Sequence, residues 1–250
     1  MDPFDSAADA LAGCTRILVF TGAGISTESG IPDFRGPGGV WTRVDPEEFT
    51  YSRYLANPET RQRGWAMRAD SGVLDAAPNA AHLAIVDLWE AGLMIACVTQ
   101  NIDGLHQAAG LPAEAIVELH GNAHQTICVS CGDLLPTRHV LERVAAGEDD
   151  PACRDCGGIL KADVVFFGEM MPTGEMLRAA MAAGEADAAL AVGSTLSVFP
   201  AASFPLEIAE AGHPFVIVNR GPTELDDLAT VRLDGAASEL LPRLVQRLIP

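Results

Sequence analysis

The stretch Arg16–Arg43, RILVFTGAGISTESGIPDFRGPGGVWTR, opens as a strand and then loses regularity. Ile17, Leu18, Val19 and Phe20 form a short apolar run of the kind buried in a parallel sheet. Gly22 and Gly24 follow at once, and without a Cβ they let backbone N–H groups close on a phosphate. This is a dinucleotide site in outline but not the usual G-x-G-x-x-G, because the next glycine is Gly30. Taken alone, the pair suits a plain strand-to-helix turn equally well. The tail from Ser29 to Gly36, where Pro32, Asp33, Phe34 and Arg35 stand together, is too rich in glycine and proline for a helix. Such a loop can fold over a ligand.

Further strands end in the same manner. Met94–Thr99 runs into Gln100, Asn101, Ile102, Asp103 and Gly104; Ala115–Leu119 runs into His120 and Gly121. Ala188–Val192 exits to Gly193, Ser194 and Thr195, and Phe215–Val218 to Asn219 and Arg220. Open α/β sheets bind ligands at the carboxyl ends of their strands. Asn101 and Asp103 also suit the cap of a following helix, and a lone histidine is more often structural than catalytic. Convergence of several polar exits on one crevice favours the functional reading. Strands near residues 17, 94, 116, 164 (Asp163–Phe167), 189, 216 and 231 are separated by helices, among them residues 5–14, one capped by Asn79 and stopping near Gly92, Pro200–Ala211 and Ala237–Leu248. The pattern predicts an α/β fold with a doubly wound parallel sheet, Rossmann-like.

Two segments break the alternation. Pro46–Met67 carries Phe49, Tyr51, Tyr54, Leu55 and Trp65 at irregular helical spacing and predicts a small helical module. Cys128-Val-Ser-Cys131 and Cys153-Arg-Asp-Cys156 are two C-x-x-C pairs, followed by Gly132 and Gly157, which permit the tight knuckle a tetrahedral ion needs. Four thiolates leave no position for water or substrate, so the zinc is expected to be structural. A redox reading is weak, since two pairs are present and neither opens a thioredoxin-like helix. His124 and His139 are near in sequence, but no fifth ligand is needed. Cys14 and Cys97 read as buried thiols.

With 250 residues the chain can hold one large α/β domain carrying a smaller insert. Its formal charge of −18 argues against nucleic acid and anionic membranes as partners and favours cationic ones. Lys161 is the only lysine, a trait fitting a GC-rich genome or a salt-adapted proteome. The longest apolar region, residues 188–204, is interrupted by Gly193, Ser194, Thr195, Ser197 and Pro200 and falls short of a membrane span. The stretch MDPFDSAADA carries acids where an export signal needs positive charge, so a cytoplasmic protein is expected.

The blocks GAGIS, SGIPDFRG, TQNIDGLH, ELHG, the paired C-x-x-C, VVFFGE and VGST, in that order, cover the chain from about Arg16 to Leu241 and resemble the sirtuins, NAD-dependent protein deacylases. The resemblance implies an acylated lysine in an extended peptide as substrate and NAD as a consumed co-substrate, with zinc as a structural ion. It implies that positive charge builds at C1′ as the nicotinamide bond weakens and that the acyl oxygen attacks there. A ribose hydroxyl, deprotonated by a base, then attacks the resulting alkylimidate. His120 is the implied base. Asn101 would hold the ribose or an ordered water, and Asp103 the nicotinamide carboxamide. Phe34 would shield the ribose, and Arg35 would order the loop or meet phosphate. Gly22, Ala23, Gly24, Gln100, Gly193, Ser194, Thr195, Asn219 and Arg220 complete the implied NAD cradle. The peptide would add as a strand along Val165, Phe166, Phe167, Gly168 and Glu169 on one side and the segment after Ser194 on the other.

Under this resemblance, residues 1–36, 76–121 and 161–250 form the NAD-binding domain, while 37–75 and 122–160 form the small domain. A monomer or weak oligomer is expected. An ADP-ribosyltransferase or NAD hydrolase, or a silent NAD-binding regulator, stand as alternatives. Nicotinamide release that depends on acyl-peptide separates the three.

Sirtuins specialised for acidic acyl groups resemble one another in a Tyr-x-x-Arg pair on the helical module, and Gly64 and Met67 align with those places here. Arg61, Arg63 and Arg68 are close enough in sequence to substitute. The expected outcome is higher kcat/KM on short neutral or longer apolar acyl groups than on succinyl- or malonyl-lysine in one peptide. A succinyl preference overturns the expectation.

Overall fold

The computed structural model describes residues 2–34, 36, 38–42 and 44–249. Along the chain, helix α1 (Pro3–Leu11) precedes strand β1 (Ile17–Thr21), and a 3-10 helix occupies Ala23–Ser29, where irregular backbone is expected from composition. Helices α2 (Tyr51–Ala56), α3 (Pro58–Asp70) and α4 (Ala80–Glu90) follow, then β2 (Met94–Thr99), α5 (Leu105–Ala108) and β3 (Ile116–Glu118). Next come β4 (Gly121–Cys128), β5 (Leu134–Pro136), α6 (Thr137–Ala145) and β6 (Leu160–Val164). The chain closes with α7 (Thr173–Glu185), β7 (Ala188–Val192), α8 (Ser203–Glu210), β8 (Phe215–Asn219), β9 (Val231–Asp234) and α9 (Ala237–Leu248).

Six strands form one parallel sheet in the order β3-β2-β1-β7-β8-β9, so the direction of winding reverses between β1 and β7. Every residue of β1, β7 and β8 is buried, because helices cover both faces. Ile17 and Val19 of β1 point into a core with Leu11 of α1, Ile85 and Leu88 of α4 and Leu241 and Leu244 of α9. Leu18 and Phe20, on the other face, pack with Ala179 of α7 and Phe204 and Ile208 of α8.

The sequence reading of Asp163–Phe167 as a seventh strand of this sheet is incorrect. The strand there is β6, which pairs antiparallel with β4 in a separate three-stranded sheet of order β5-β4-β6. Its Ala162 and Val164, with Phe166 beyond the strand, pack against Tyr54 of α2 in a core of their own. Hydrophobicity alone does not say which sheet an apolar run joins; the pairing partner decides it.

The helical module closes on this small sheet. Asn57 caps α3 through the N–H groups of Glu59 and Thr60, with Pro58 at the first helical position. Trp65 of α3 is buried against Cys128, Val140, Cys153 and Leu160, while the Tyr54 hydroxyl donates to the Leu160 carbonyl at 2.7 Å. Among the described residues no helix is long and apolar enough to cross a membrane.

Candidate active site

At the reversal between β1 and β7, two strand exits interlock. A Cβ on Gly22 would sit 2.8 Å from the Gly193 carbonyl oxygen, and one on Gly24 would sit 2.8 Å from Gly193 Cα. Gly193 itself is left-handed at φ +63, and the Gly24 N–H donates to its carbonyl at 2.8 Å. Three glycines are therefore required by the backbones meeting there. The Ile25 N–H turns to the Gly22 carbonyl at 3.1 Å, and the N–H of Ala23 has no partner among the described residues. A crevice floored by close-packed backbone at this position fits a dinucleotide diphosphate.

Gln100, at the exit of β2, joins three elements. Its N–H donates to the Thr21 carbonyl at 3.0 Å, its side-chain amide donates to Ser194 Oγ at 2.9 Å, and its carbonyl accepts from His120 Nδ1 at 2.9 Å. That last bond fixes the neutral tautomer: Nδ1 carries the hydrogen and Nε2 is the acceptor. Burial pushes the His120 pKa down, partly offset by the bond to Gln100.

Asn101 and Asp103 are 7% and 5% exposed. The Asn101 amide donates to the Gly22 carbonyl at 3.1 Å and to Ser26 Oγ at 3.3 Å. Asp103 accepts from the Ser26 hydroxyl at 2.7 Å and from the Leu105 N–H at 3.0 Å, while the N-cap of α5 is Gly104 and not Asp103 or Asn101. His124 is held far from a ligand role: its Nε2 donates to the Asp103 carbonyl at 2.9 Å.

Three contributors escaped the sequence reading: Ser26, His82 and His106. His82 Nδ1 accepts the Asn79 N–H at 3.2 Å, which leaves its Nε2–H facing Ser26 Oγ at 3.5 Å, and Ser26 in turn donates to Asp103. His106 Nε2 lies 2.9 Å from Thr21 Oγ1, whose hydroxyl donates to Thr99 Oγ1 at 2.8 Å. Burial depresses His82 to about 4 and His106 to about 3. Both rings are neutral supports beneath the carboxylate. Their signal was the placement of Ser26 and His106 inside the motif blocks.

Around the rim, Thr195 Oγ1 pairs with Ser197 Oγ at 2.9 Å. Asn219 donates to the carbonyls of Arg220 and Gly221, and Arg220, 71% exposed in its side chain, reaches Glu28 at 3.5 Å. Phe34 is exposed at 37%. Arg35 lies outside the described residues.

The segment Val165–Glu169 is anchored more fully than strand addition requires. The N–H groups of Val165, Phe166, Phe167 and Glu169 donate to the His120 carbonyl, Glu169 Oε2, the Phe49 carbonyl and the Phe166 carbonyl. Among the described residues, Gly168 alone in this segment keeps an unpaired N–H, and the carbonyls of Val165 and Gly168 are open. Of the arginines near Gly64, Arg61 is paired with Asp150 at 2.7 Å and Arg63 with Glu48 at 2.6 Å. Arg68 lies over the Trp65 and Phe166 rings, 5.8 Å from each centroid.

The sulfurs of Cys128, Cys131, Cys153 and Cys156 all lie within 4.8 Å of one another, with 3.4 Å between Cys128 and Cys156 and 3.8 Å between Cys131 and Cys153. Tetrahedral zinc with Zn–S near 2.3 Å places sulfurs about 3.8 Å apart. Gly132 and Gly157 are left-handed at φ +75 and φ +72, each donating to the carbonyl of the first cysteine of its pair. The four thiols are free and fit one ion.

The profile of the Sir2 family matches residues 22–200. NAD-dependent protein deacetylase 2 of Streptomyces coelicolor is 44% identical over 241 residues, covering 95% of this chain and 100% of that protein. An NAD-dependent protein deacetylase of Haloarcula marismortui is 42% identical over 252 residues, covering 99% and 95%. A solved Sir2 structure with a deacetylated p53 peptide and 3′-O-acetyl ADP-ribose superposes with a TM-score of 0.91 at 36% identity, covering 97% of each chain. Sir2 bound to acetylated peptide superposes at 0.87 with 34% identity and the same coverage. The chain belongs to the Sir2 family.

Metal analysis of the purified protein is expected to find close to one zinc per chain. Chelation or Cys128→Ala is expected to unfold the small lobe, read as loss of the cooperative transition of the Trp65 fluorescence. A Cys128→Ala variant that kept both its fold and full activity overturns the structural assignment.

Proposed function

We propose that this protein is an NAD-dependent protein lysine deacylase that transfers the acyl group of a lysine side chain to ADP-ribose and releases nicotinamide. The observation that carries the proposal is His120: half-buried, held as the Nδ1–H tautomer by the Gln100 carbonyl, with Nε2 left to take a proton at the same crevice as Asn101 and Asp103. Bound NAD supplies an electrophilic ribose carbon once the nicotinamide bond weakens. His120 Nε2 accepts the proton of a ribose hydroxyl. Asp103, braced by Ser26 and the His124 bond to its carbonyl, orients the carboxamide, and Asn101 holds the ribose or a water.

The turn of Gly22, Ala23 and Gly24 takes the diphosphate, with Gln100, Gly193, Ser194 and Thr195 along the opposite wall. Asn219 and Arg220 take the adenosine half, and Phe34 and Arg35 close the loop and exclude water. The acyl-peptide lies along Val165–Glu169. Zinc held by Cys128, Cys131, Cys153 and Cys156 keeps the small lobe folded and takes no part in the reaction. The NAD-binding part comprises residues 1–36, 76–121 and 161–250, with strand Leu160–Val164 itself contributing to the small sheet. The charge of −18 favours basic substrate segments over nucleic acid, and the protein works in the cytoplasm as a monomer or weak oligomer.

His120→Ala is expected to lower deacylation by about a hundredfold or more, the scale of a lost general base. Exchange of free nicotinamide into NAD with acyl-peptide present precedes that proton transfer and is expected to survive better, whereas Asp103→Asn depresses both. Full deacylation by His120→Ala at neutral pH, or exchange abolished as completely as in Asp103→Asn while NAD still binds, overturns the assignment.

The base must be unprotonated, and burial lowers its pKa below the ordinary histidine value of about 6.5. The acid limb of kcat/KM against pH should thus lie below that of an ordinary histidine base, with activity held to lower pH. An acid limb centred above about 6.5 contradicts a neutral His120 with a lowered pKa.

A further inference from the structure

Lys161 is the single lysine of a chain whose other fifteen basic side chains are arginine, and it is 3% exposed. Its ammonium donates to the Val164 carbonyl at 2.7 Å and to Glu169 Oε2 at 3.0 Å. It faces the rings of Phe166 and Tyr51, 5.0 Å and 5.8 Å from their centroids. The same Glu169 oxygen accepts the Phe166 N–H at 2.9 Å. Each partner of the ion pair therefore holds one backbone group of the 164–166 segment, Lys161 a carbonyl and Glu169 an N–H. Between them the Val165 N–H donates to the His120 carbonyl at 2.9 Å, while Phe167 pairs its backbone with Phe49 and Tyr51 of the helical module.

A buried pair is costly to desolvate, and a plain connection from β6 to α7 needs no charge. What this one accomplishes is local: it pins a segment that has left its sheet and has no further strand beside it. A compact ammonium with three donors suits a carbonyl, a carboxylate and two ring faces in one place, a set that a planar guanidinium does not match. Arginine serves at every other basic position, the buried Arg61 at 7% exposure included, and lysine stands at the most enclosed one.

We propose that the Lys161–Glu169 ion pair is a positioning device for the acyl-peptide, fixing the Val165–Glu169 segment against His120 so that the open N–H of Gly168 and the open carbonyls of Val165 and Gly168 are presented to substrate in one geometry. The inference rests on the deacylase reading above. Neither side chain is a catalytic residue; both act through the backbone they hold.

The test compares Lys161→Met, Lys161→Arg and Glu169→Gln with the parent chain, using acetyl-lysine peptide and NAD. Glu169→Gln keeps an acceptor for the Phe166 N–H and is the milder change, which guards against a failure of Lys161→Met to fold. Each variant is expected to raise KM for the acyl-peptide about tenfold, with KM for NAD and kcat within about threefold of the parent, because weakened positioning of one substrate is lost as uniform binding. Binding of the same peptide, followed by fluorescence anisotropy of a labelled form, should weaken in parallel. A lowered melting temperature with unchanged peptide KM and binding shows a merely structural pair and overturns the proposal. So does an equal rise in KM for both substrates, or a Lys161→Arg variant indistinguishable from the parent. If the parent shows no peptide-dependent nicotinamide release, the deacylase reading fails instead, and peptide anisotropy still reports on the ion pair by itself.

Discussion

Gly22, Gly24 and Gly193 meet so closely that no side chain fits between the exits of β1 and β7. The rest of the site is hung from that contact. The winding of the sheet reverses there, so helices diverge on either side and leave a crevice, and the exits of β2 and β3 turn toward it. The glycines thus serve a tighter purpose than approach of a phosphate. They let two loops share one volume, and the Gly24 N–H is spent on the Gly193 carbonyl in doing so. Asn101 then reaches back to the Gly22 carbonyl, which ties the second polar exit to the first.

The polar groups beneath the crevice are buried and yet balanced. Ser26 donates to the Asp103 carboxylate and accepts from the Asn101 amide, with His82 beside it, while Thr99 accepts from the Asn101 N–H and from Thr21, which His106 supports in turn. If His82 or His106 carried a charge, the shell would place a buried cation beneath the crevice. Desolvation prevents this by holding both far below neutrality. Burial lowers His120 as well, and Gln100 engages only Nδ1, so Nε2 is left without a partner among the described residues.

The sequence was most legible where one local signal decides the structure. Met94–Thr99, Ala188–Val192 and Ala237–Leu248 occupy the residues expected, since continuous apolar runs and an amphipathic period need no partner to be recognised. The four thiols could be placed together from spacing alone. Beyond that reach lay β4, whose Asn122, His124 and Gln125 do not read as a buried strand, and β6, whose apolar run suggested the wrong sheet. Their antiparallel pairing is settled by contacts across residues that local pattern cannot see. His82 was hidden for a similar reason, as one histidine on an apolar helix gives no sign that Ser26 lies above it.

Coupling between the lobes follows from where β4 begins. Gly121 is left-handed at φ +76, and a Cβ there would run into the Asp163 carbonyl, so the chain passes straight from His120 into the small sheet with no linker. The Ala123 N–H donates to the Ile102 carbonyl at 2.8 Å, His124 to the Asp103 carbonyl and Val165 to the His120 carbonyl. Three hydrogen bonds from the small sheet hold the very loops that carry the polar exits. At the far end of that sheet, Cys128 terminates β4 and packs with Leu160 of β6 beneath Trp65. A structural ion can in this way matter to a reaction it never touches. It fixes one end of two paired strands, and the other end of those strands is the wall of the crevice.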